Sequence, residues 1–460
     1  MNIKEIVERQ REYFNSGITK SYAFRMQQLT KLEEAIKRNE KALLKALYDD
    51  LRKTPYEGYM TEVGIALEEI RYHKKHLKKW MARRMVSANP THLPGVGYIC
   101  PEPYGVALIV SPWNYPINLC FQALIGAISA GNCAVVKPSA YATNTSHEIK
   151  RILLETFPPE YVAVVEGGRA ENQELFNQRF DYIFFTGSVS VGKVVMEAAA
   201  KNLTPITLEL GGKSPVIVDE TANIRLAAKR LVFGKALNAG QTCIAPDYLL
   251  IHESRLEEFI IEFEKAVKKA FPNGDYSEMP VIINEKHFRR LENLLTQGTI
   301  RVGGTVSESE RFIEPTLLTD VDPQSELMQD EIFGPLLPVI TYSELDEVID
   351  FVRNREKPLA LYLFTRRKSV VNRILHSLSF GGGCVNDVIM HIVSPKMPFG
   401  GVGNSGMGNY HGKKSFETFT HRRSVLMNFS DMDPALRYHP YTKTKKEIIA
   451  RFMGREKWQK

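Results

Sequence analysis

Two side chains in the middle of the chain are of the types that carry out covalent catalysis. Cys243 stands among small and polar residues in Gly240-Gln241-Thr242-Cys243-Ile244-Ala245, and a cysteine thiolate is an effective nucleophile. Glu209 closes an apolar run just before Gly211-Gly212, where a carboxylate can act as a general base. Together they predict a thioester that forms on Cys243 and is hydrolysed with the help of Glu209.

Each of these residues also has an ordinary structural interpretation. Most cysteines are small buried packing residues, so the assignment of Cys243 depends on its neighbours. The structural alternative for Glu209 is a carboxylate that pairs with backbone amides. Its place directly before a Gly-Gly turn favours the catalytic interpretation.

Two further polar residues directly follow or end predicted strands. Asn114 lies in Ser111-Pro112-Trp113-Asn114-Tyr115-Pro116, and Lys137 begins Lys137-Pro138-Ser139. An isolated asparagine in such a place is most often a turn former. Opposite a cysteine, however, its side-chain amide is a suitable donor to a developing oxyanion. An isolated lysine is usually solvated, and the alternative for Lys137 is a contact to the ribose or phosphate of a cofactor.

The surrounding pattern predicts the elements that must hold these residues. Five runs are predicted to be strands: 106–110, 134–136, 161–165, 182–185 and 206–210. The first is an unbroken apolar run, as a strand buried on both faces should be. Three helical stretches lie between them, at 117–130, 146–157 and 191–201, and Gly131 is predicted to end the first. This alternation predicts a parallel, right-handed, doubly wound sheet, whose ligands bind beyond the carboxyl ends of the strands.

The rest of the chain divides around this sheet. Leucines recur every three or four residues among charged residues up to about residue 80, which predicts helices, and turn residues at 89–97 indicate a projecting hairpin. A strand at 215–218 and a helix at 223–237 begin a second α/β unit that continues to about residue 395. The final segment is Gly-rich, then strand-like around 415–426, then basic.

Three glycine-rich runs raise the question of a nucleotide site. The run from Gly187 to Lys193 has P-loop spacing, but Val194 occupies the position where a magnesium-binding Ser or Thr is required. The strand-to-helix turn that remains favours a phosphate at the helix amino terminus, and therefore a dinucleotide rather than a hydrolysed triphosphate. The run at 401–406 matches G-x-G-x-x-G by letter but follows no strand, which predicts a flexible loop; 381–383 is interpreted as a turn.

Several ordered motifs resemble those of the NAD(P)-dependent aldehyde dehydrogenase superfamily, and they cover nearly the full length of the chain. They are Trp113-Asn114-Tyr115-Pro116, Lys137-Pro138-Ser139, Phe185-Thr186-Gly187-Ser188, Glu209-Leu210-Gly211-Gly212-Lys213-Ser214-Pro215, Gly240-Gln241-Thr242-Cys243, Glu331-Ile332-Phe333-Gly334-Pro335 and Pro398-Phe399-Gly400-Gly401. The short amino end and Tyr410-His411-Gly412 are most similar to the class 3 branch. That branch handles fatty and aromatic aldehydes and is typically dimeric.

The resemblance implies a role for each motif residue. Cys243 is the implied nucleophile, Glu209 the base and Asn114 the oxyanion donor. The implied cofactor residues are Lys137 at the adenosine ribose, Gly187 and Ser188 near the pyrophosphate, Gly192 in the family's Gly-x-x-x-x-Gly spacing, Glu331 at the nicotinamide ribose and Phe333 against the nicotinamide. Ala140 stands where many relatives carry a glutamate that would repel a 2′-phosphate, so both NAD and NADP are candidate cofactors. No metal site is predicted.

The implied reaction is the oxidation of a medium- or long-chain aliphatic or aromatic aldehyde to a carboxylic acid. It proceeds through a cysteine-bound thiohemiacetal and a thioester. One alternative is a CoA-acylating aldehyde dehydrogenase, which passes the same thioester to a thiol and needs no hydrolytic base, so Glu209 argues against it. The other is a P-loop nucleotide binder at 187–193, against which Val194 argues.

The resemblance also implies the fold, which is α/β. A Rossmann-type cofactor domain is predicted from 1–83 and 104–210, and an α/β catalytic domain from 211–397. A small β arm for oligomerisation is predicted from 84–103 and 398–435, followed by a basic tail at 436–460. The active site is expected in a tunnel between the two α/β domains.

Composition and charge narrow the location and the partners. The five cysteines contain no C-x-x-C pair, and an odd number favours reduced thiols over a disulfide framework. The amino end has no apolar signal region and no stretch reaches bilayer length, so a soluble cytoplasmic protein is predicted. The class 3 resemblance implies that it is a homodimer. Basic residues gather at 71–80 and 443–460, which is typical of solvated surfaces; peripheral contact with an anionic membrane is the alternative. Nucleic-acid binding has no supporting motif.

Overall fold

The structure, a computed structural model, describes residues 2–87, 92 and 94–453. The α-helices among them are α1 Ile3–Asn15, α2 Tyr22–Arg38, α3 Glu40–Leu51, α4 Pro55–Gly58, α5 Gly64–Trp80, α6 Pro116–Ala130, α7 Thr143–Thr156, α8 Arg169–Phe176, α9 Val189–Ala200, α10 Ile224–Ala236, α11 Leu256–Ala270, α12 Glu285–Leu294, α13 Glu326–Gln329, α14 Leu345–Arg353, α15 Lys368–Ser377, α16 Lys413–Thr418 and α17 Lys443–Phe452.

The strands are β1 Arg84–Val86, β2 Val96–Pro103, β3 Val106–Val110, β4 Cys133–Lys137, β5 Val162–Val164, β6 Tyr182–Gly187, β7 Ile206–Leu210, β8 Pro215–Val218, β9 Tyr248–His252, β10 Thr299–Val302, β11 Val306–Ser307, β12 Phe312–Ile313, β13 Thr316–Thr319, β14 Leu336–Tyr342, β15 Ala360–Phe364, β16 Gly382–Val385, β17 Gly406–Met407 and β18 Thr420–Met427.

A six-stranded sheet places the predicted cofactor residues Lys137, Gly187 and Ser188 at the carboxyl ends of its strands. Its order is β17-β7-β6-β3-β4-β5, and every pair except β17 with β7 is parallel. Strands β3 and β4 are buried at every position because both faces are covered, as their unbroken apolar sequences predict. In the parallel register Val110 lies opposite Lys137 and Thr186 opposite Glu209, so the carboxyl ends of these strands meet. The predicted α/β fold is confirmed.

Helix α6 is the central helix against this sheet. Every one of its residues is buried, and it starts at Pro116, which lacks an N–H that the first helical turn would leave unpaired. Gly131 follows it at φ 93°, so the predicted glycine end of the helix is confirmed. The amino-terminal helices α2 and α5 pack against α6. They bring residues of the first 80 positions close to the segment that carries Asn114.

A second sheet receives the chain directly after Glu209. Its order is β10-β13-β14-β9-β8-β15-β16, and all pairs except β10 with β13 are parallel. The Gly211-Gly212 turn links β7 of the first sheet to β8 of the second, and Cys243 lies between α10 and β9. Cys243 and Glu209, the predicted nucleophile and base, therefore stand where the two sheets adjoin.

A small third sheet consists of β1, β2 and β18, all antiparallel. The tip of the predicted hairpin, residues 88–91 and 93, lies outside the described residues, and so do residues 454–460 of the basic tail. The division into domains stays a prediction. Among the described residues, no helix has both the length and the apolar character needed to cross a bilayer.

Three local predictions near the carboxyl end need correction. The strand predicted around 415–426 is confirmed from Thr420 onward, where β18 begins, and is wrong for 415–418, which belong to helix α16. The glycine run at 401–406 is not a flexible loop, because Gly406 and Met407 form β17 and pair with Glu209 and Leu208. Gly382 and Gly383 belong to strand β16 rather than to a turn.

Candidate active site

A strained turn presents Cys243. Helix α10 ends at Ala236, and Asn238, Ala239 and Gly240 then take φ values of 50°, 52° and 70°. Asparagine tolerates this left-handed region, whereas alanine adopts it only at a cost in conformational energy. Contacts with the surrounding residues must therefore hold the turn. A Cβ on Gly240 would lie 2.3 Å from the Gly334 carbonyl oxygen, which explains the glycine there.

The Cys243 thiol is half-buried. Burial raises its pKa, and the nearby carboxylates of Glu331 and Glu209 add to that effect. The backbone N–H groups of Cys243 and Ile244 hydrogen-bond toward the sulfur and lower the pKa in part. The neutral thiol is therefore the resting form, with two N–H groups placed to stabilise negative charge when it appears.

Glu209 is buried without any hydrogen-bond partner. It lies on β7, its residue is only 3% exposed, and neither carboxylate oxygen has a partner among the described residues. Burial raises the pKa of its carboxyl well above the usual value. A structural carboxylate would pair with backbone amides, and Glu209 does not. A buried acid without hydrogen-bond partners does not stabilise the fold, so its presence here indicates a functional role.

Asn114 is tied to the loop that carries the nucleophile. Its side-chain nitrogen donates to the Gln241 carbonyl oxygen at 3.0 Å, which uses one of its two hydrogens. The backbone carbonyl oxygen of Asn114 accepts hydrogen bonds from Lys53 Nζ at 2.8 Å and from Asn238 Nδ2 at 2.9 Å. The remaining amide hydrogen is the one available to a substrate oxygen.

Glu331 lies over the Gly211-Gly212 turn. A Cβ on Gly211 would come within 2.0 Å of the Glu331 carboxylate, which accepts a hydrogen bond from the Gly212 N–H. Burial first, and Asp247 second, raise its pKa to about 8, while Lys213 and Arg290 oppose the rise. Phe333 sits at φ 51°, and its ring meets Trp113 edge-on at 5.3 Å. This segment thus projects both side chains from a constrained backbone.

The proposed pyrophosphate residues form a strand-to-helix turn. Gly187 ends β6, and exposed Ser188 caps α9 by accepting from the Val191 N–H at 3.4 Å. A Cβ on Gly192 would lie 2.7 Å from Leu210, so the glycine lets α9 approach β7. A helix amino terminus at the carboxyl edge of a parallel sheet suits a phosphate.

Lys137 ends the neighbouring strand β4 and is 3% exposed. Its Nζ donates to the Pro138 carbonyl at 2.8 Å. Burial lowers its pKa, while Glu171 and Glu166 oppose the change. The ammonium group therefore has donors left for a ligand, and the exposed Ala140 contributes no charge beside it. Together with the α9 turn, these residues fit the adenosine and phosphate half of a dinucleotide.

The comparison of this chain with known protein families agrees with that geometry. The sequence profile described as the aldehyde dehydrogenase family matches residues 1–425. The chain belongs to the aldehyde dehydrogenase family. The family predicted from the motifs is thereby confirmed, and it excludes the P-loop alternative. The protein is an oxidoreductase that oxidises aldehydes with NAD or NADP.

Two curated aldehyde dehydrogenases illustrate the similarity. The chain is 49% identical over 447 residues to 4,4'-diaponeurosporen-aldehyde dehydrogenase of Staphylococcus aureus, covering 96% of this chain and 97% of that protein. It is 45% identical over 431 residues to the protein of Mus musculus called aldehyde dehydrogenase, dimeric NADP-preferring, covering 93% and 94%. A solved structure described as the substrate bound state of Staphylococcus aureus AldH matches with a TM-score of 0.96 and 48% identity, over 98% of this chain and all (100%) of that one.

Apart from Lys213, which stands in the motif from Glu209 to Pro215, the cations that hold the Glu331 segment of this aldehyde dehydrogenase lie outside the motifs. Lys213 Nζ contacts Asp247 at 2.5 Å and donates to the carbonyls of Leu327 and Asp330 at 2.8 and 2.9 Å. Arg290 donates to the carbonyls of Glu331 and Ile332, and Lys235 donates to that of Gly334 at 3.0 Å. These cations fix the backbone that carries Glu331 and Phe333. A single charged residue within a helix or turn gives no sequence signal for such a role.

Proposed function

We propose that the chain converts medium- or long-chain aliphatic or aromatic aldehydes to carboxylic acids, with Cys243 as nucleophile and Glu209 as the base of hydrolysis. The observation that carries this proposal is the buried, unpartnered carboxyl of Glu209 beside the Cys243 loop. Transfer of the acyl group to a thiol, the CoA-acylating alternative, would need no such group.

The first step is the addition of the Cys243 sulfur to the aldehyde carbonyl carbon. The oxygen of the resulting thiohemiacetal accepts from the free hydrogen of the Asn114 amide and from the Cys243 N–H. Because the thiol rests protonated, it loses its proton to solvent water as the carbon–sulfur bond forms, and negative charge on Glu331 and Glu209 opposes that loss. The Asn114 contact to Gln241 holds the donor in place throughout.

The second step releases the acyl group. Bound NAD(P) would supply the acceptor for the hydride, held by Lys137, Gly187, Ser188, Glu331 and Phe333, with Gly192 allowing the close approach of α9. Because burial raises the pKa of Glu209, only its ionised fraction can take a proton from water. That water attacks the thioester carbonyl, the Cys243 thiolate leaves, and the carboxylic acid is freed. Since neither Glu209 oxygen is engaged, no protein hydrogen bond has to break before a water can bind.

The substrate class is supported by exposed apolar side chains on elements that adjoin the site. Tyr56, Tyr59 and Met60 lie on and after α4, and Glu57 of the same helix accepts from the Asn238 N–H at 2.8 Å. Phe233 of α10 and Met390 after β16 are exposed as well. Exposed apolar side chains of this kind suit contact with a hydrocarbon chain or ring. A relative is named for the aldehyde of 4,4'-diaponeurosporen.

For the cofactor we propose use of both NAD and NADP. No carboxylate stands at Ala140, and the Lys137 ammonium offers attraction for a phosphate. A relative of similar length is named NADP-preferring.

We also propose a cytoplasmic homodimer with peripheral membrane contact. Strand β18 has a free edge in the three-stranded sheet and exposes Leu426, while β1 exposes Met85, so a second copy could extend this sheet. The same mouse relative is named dimeric. The five cysteines are all unpaired, which suits a reducing compartment. Exposed Tyr441 just before the basic helix α17, and exposed Phe429 earlier in the same carboxyl-terminal segment, favour contact with an anionic bilayer surface.

Replacement of the nucleophile tests the proposed reaction. Cys243→Ala should abolish NADH production from every aldehyde in a series from short to long aliphatic chains and benzaldehyde, while NADH binding followed by fluorescence persists. Cys384→Ala is the matched control, because Cys384 is also half-buried and lies 3.5 Å from a histidine nitrogen, His391 Nδ1. Retained turnover in the first variant, or equal loss in both, would remove Cys243 from the mechanism.

A further inference from the structure

We propose that Lys53, paired with Glu62, is a positioning residue that holds Asn114 in place to receive the oxyanion. The inference rests on the proposed function, since it concerns the same oxyanion donor. It adds a residue from the amino-terminal helical layer to the machinery around Cys243.

The ion pair is completely buried. Lys53 Nζ lies 2.6 Å from Glu62 Oε1, and both side chains are 0% exposed. Taking two charges out of water is costly, and the cost is offset only when each charge is fully hydrogen-bonded. The remaining bonds of the pair therefore indicate what it is used for.

All of those bonds go to one segment. Lys53 Nζ donates to the Asn114 carbonyl at 2.8 Å and lies 4.0 Å above the Tyr115 ring. The second oxygen of Glu62 accepts from the N–H groups of Ile117 and Asn118 at 2.9 and 3.0 Å. These N–H groups belong to the first turn of α6, where a negative charge is favourable. The pair thus fixes the Asn114 backbone and the start of the helix that follows it.

The same carbonyl links Asn114 to the nucleophile loop. Asn238 Nδ2 donates both to the Asn114 carbonyl and to the Gln241 carbonyl, each at 2.9 Å. Asn114 Nδ2 donates to that Gln241 carbonyl as well, at 3.0 Å. Two amides and two carbonyls therefore form a closed network, and Lys53 provides its only cation among the described residues. Loss of this cation would leave the Asn114 carbonyl with one donor and allow the segment to shift.

An uncharged pair of similar size could fill the same space and keep an oxygen for the N–H groups of α6, but it could not hold the Asn114 carbonyl. A purely structural role would therefore survive such a replacement, because buried ion pairs are often exchanged for apolar pairs without loss of stability. A positioning role would not survive it.

The test is the double variant Lys53→Met/Glu62→Gln. The glutamine keeps an oxygen for the amino-terminal N–H groups of α6 and removes the charge that would otherwise be left unpaired. We expect kcat for aldehyde oxidation to fall roughly 10- to 100-fold, since small misplacements of a reacting group have effects of this size. The aldehyde KM and the NADH dissociation constant should stay within about twofold, because neither ligand loses a contact. Hydrolysis of p-nitrophenyl acetate, which needs the thiol and the oxyanion donor but no cofactor, should fall by a similar factor.

Arg25→Met is the matched control. Arg25 is also a buried cation of the amino-terminal helices that donates to backbone carbonyls, those of Thr19 and Ser129 at 3.0 and 3.2 Å. Its removal should lower the melting temperature and leave kcat unchanged. The positioning role is refuted if the double variant keeps kcat within about twofold of wild type. It is also refuted if the double variant and Arg25→Met have equal melting temperatures and the double variant loses no more kcat than Arg25→Met does.

Should the double variant fail to fold, Lys53→Arg decides the question. It keeps the charge opposite Glu62 but places a planar guanidinium where the Asn114 carbonyl meets a compact ammonium. A folded variant with reduced kcat and reduced ester hydrolysis supports the inference, and one with full kcat overturns it.

Ester hydrolysis also separates this inference from the proposed function. A wild-type chain that oxidised no aldehyde would refute the function alone, because ester hydrolysis would still report the placement of Asn114.

Discussion

Glu331 offers a quantitative test of the cofactor site, because its charge is controlled by burial. In the folded chain its pKa is raised from 4.5 to about 8, with burial as the largest cause. The substitution Glu331→Gln keeps the shape and removes the titration. We expect the variant to be more stable than wild type and to bind the cofactor more weakly at alkaline pH. Glu331 is proposed to accept hydrogen bonds from the ribose hydroxyls, and a carboxylate is a better acceptor for them than an amide.

The size and sign of the stability effect follow from the pKa shift. Below 4.5 the carboxyl is protonated in both the folded and the unfolded chain, so wild type and variant should be equally stable. Between 4.5 and about 8 the unfolded chain loses the proton first, so wild-type stability falls as pH rises, and the loss is complete above 8. At about 1.4 kcal/mol per pKa unit the full shift is worth roughly 5 kcal/mol, and we expect about 2 to 5 because the side chain keeps some contact with solvent.

Two titrations measure these effects. Denaturant unfolding at a series of pH values should show a difference between Glu331→Gln and wild type that is small near pH 5 and largest near pH 8. NADH fluorescence titrations should show a wild-type affinity that increases up to about pH 8, whereas the variant affinity stays constant. Glu326→Gln, which alters an exposed glutamate on α13, is the control for a general charge effect. A stability difference that does not depend on pH, together with a constant wild-type affinity, would show that Glu331 is neither buried as described nor used by the cofactor.

Two further substitutions test the hydrolytic base and the cofactor choice. Glu209→Gln should give a burst of NADH in stopped-flow measurements and then a steady rate that is lower by roughly 10²- to 10⁴-fold, the usual contribution of a general base; unchanged steady turnover would exclude Glu209 from deacylation. Ala140→Glu should lower kcat/KM with NADP relative to NAD by about 10- to 100-fold, because one carboxylate near a 2′-phosphate costs roughly 1 to 3 kcal/mol at intermediate dielectric. An unchanged NADP-to-NAD ratio would place the 2′ position elsewhere.

The elements that could be predicted from the sequence are those whose burial is the same along their whole length. Strands β3 and β8 were predicted at their observed bounds, 106–110 and 215–218, because unbroken apolar runs bounded by turn residues have few other interpretations. Helix α16 was missed because six residues are too few to show a helical period. The pairing of Gly406 with Glu209 was missed for a different reason. It joins positions far apart in the chain, and a glycine-rich sequence carries no pattern that specifies a partner strand.

For the site, the residues with a chemical motif could be predicted and the residues that hold them could not. Cys243, Glu209 and Asn114 stand in segments whose composition is unusual. Lys53 and Glu62 do not, because a lysine and a glutamate near helix ends are ordinary surface residues in sequence. Their burial results only from the packing of the amino-terminal helices on α6, which brings the first 80 residues to the Asn114 segment.

The electrostatics of the site follow from how its cations are used. Three cations near the site donate to backbone carbonyls: Lys53 to that of Asn114, Lys235 to that of Gly334 and Arg290 to that of Glu331. They therefore hold loops in place and do not neutralise Cys243 or Glu209, the groups proposed to react. Burial consequently raises the pKa of Cys243 and Glu209 without a direct counter-charge on either. When bound, NAD(P) would supply a positively charged nicotinamide ring, and a positive charge near Cys243 and Glu209 would lower the pKa of both groups. Because the described cations bind backbone carbonyls instead, we expect the Cys243 thiolate to form more readily once the oxidised cofactor is bound.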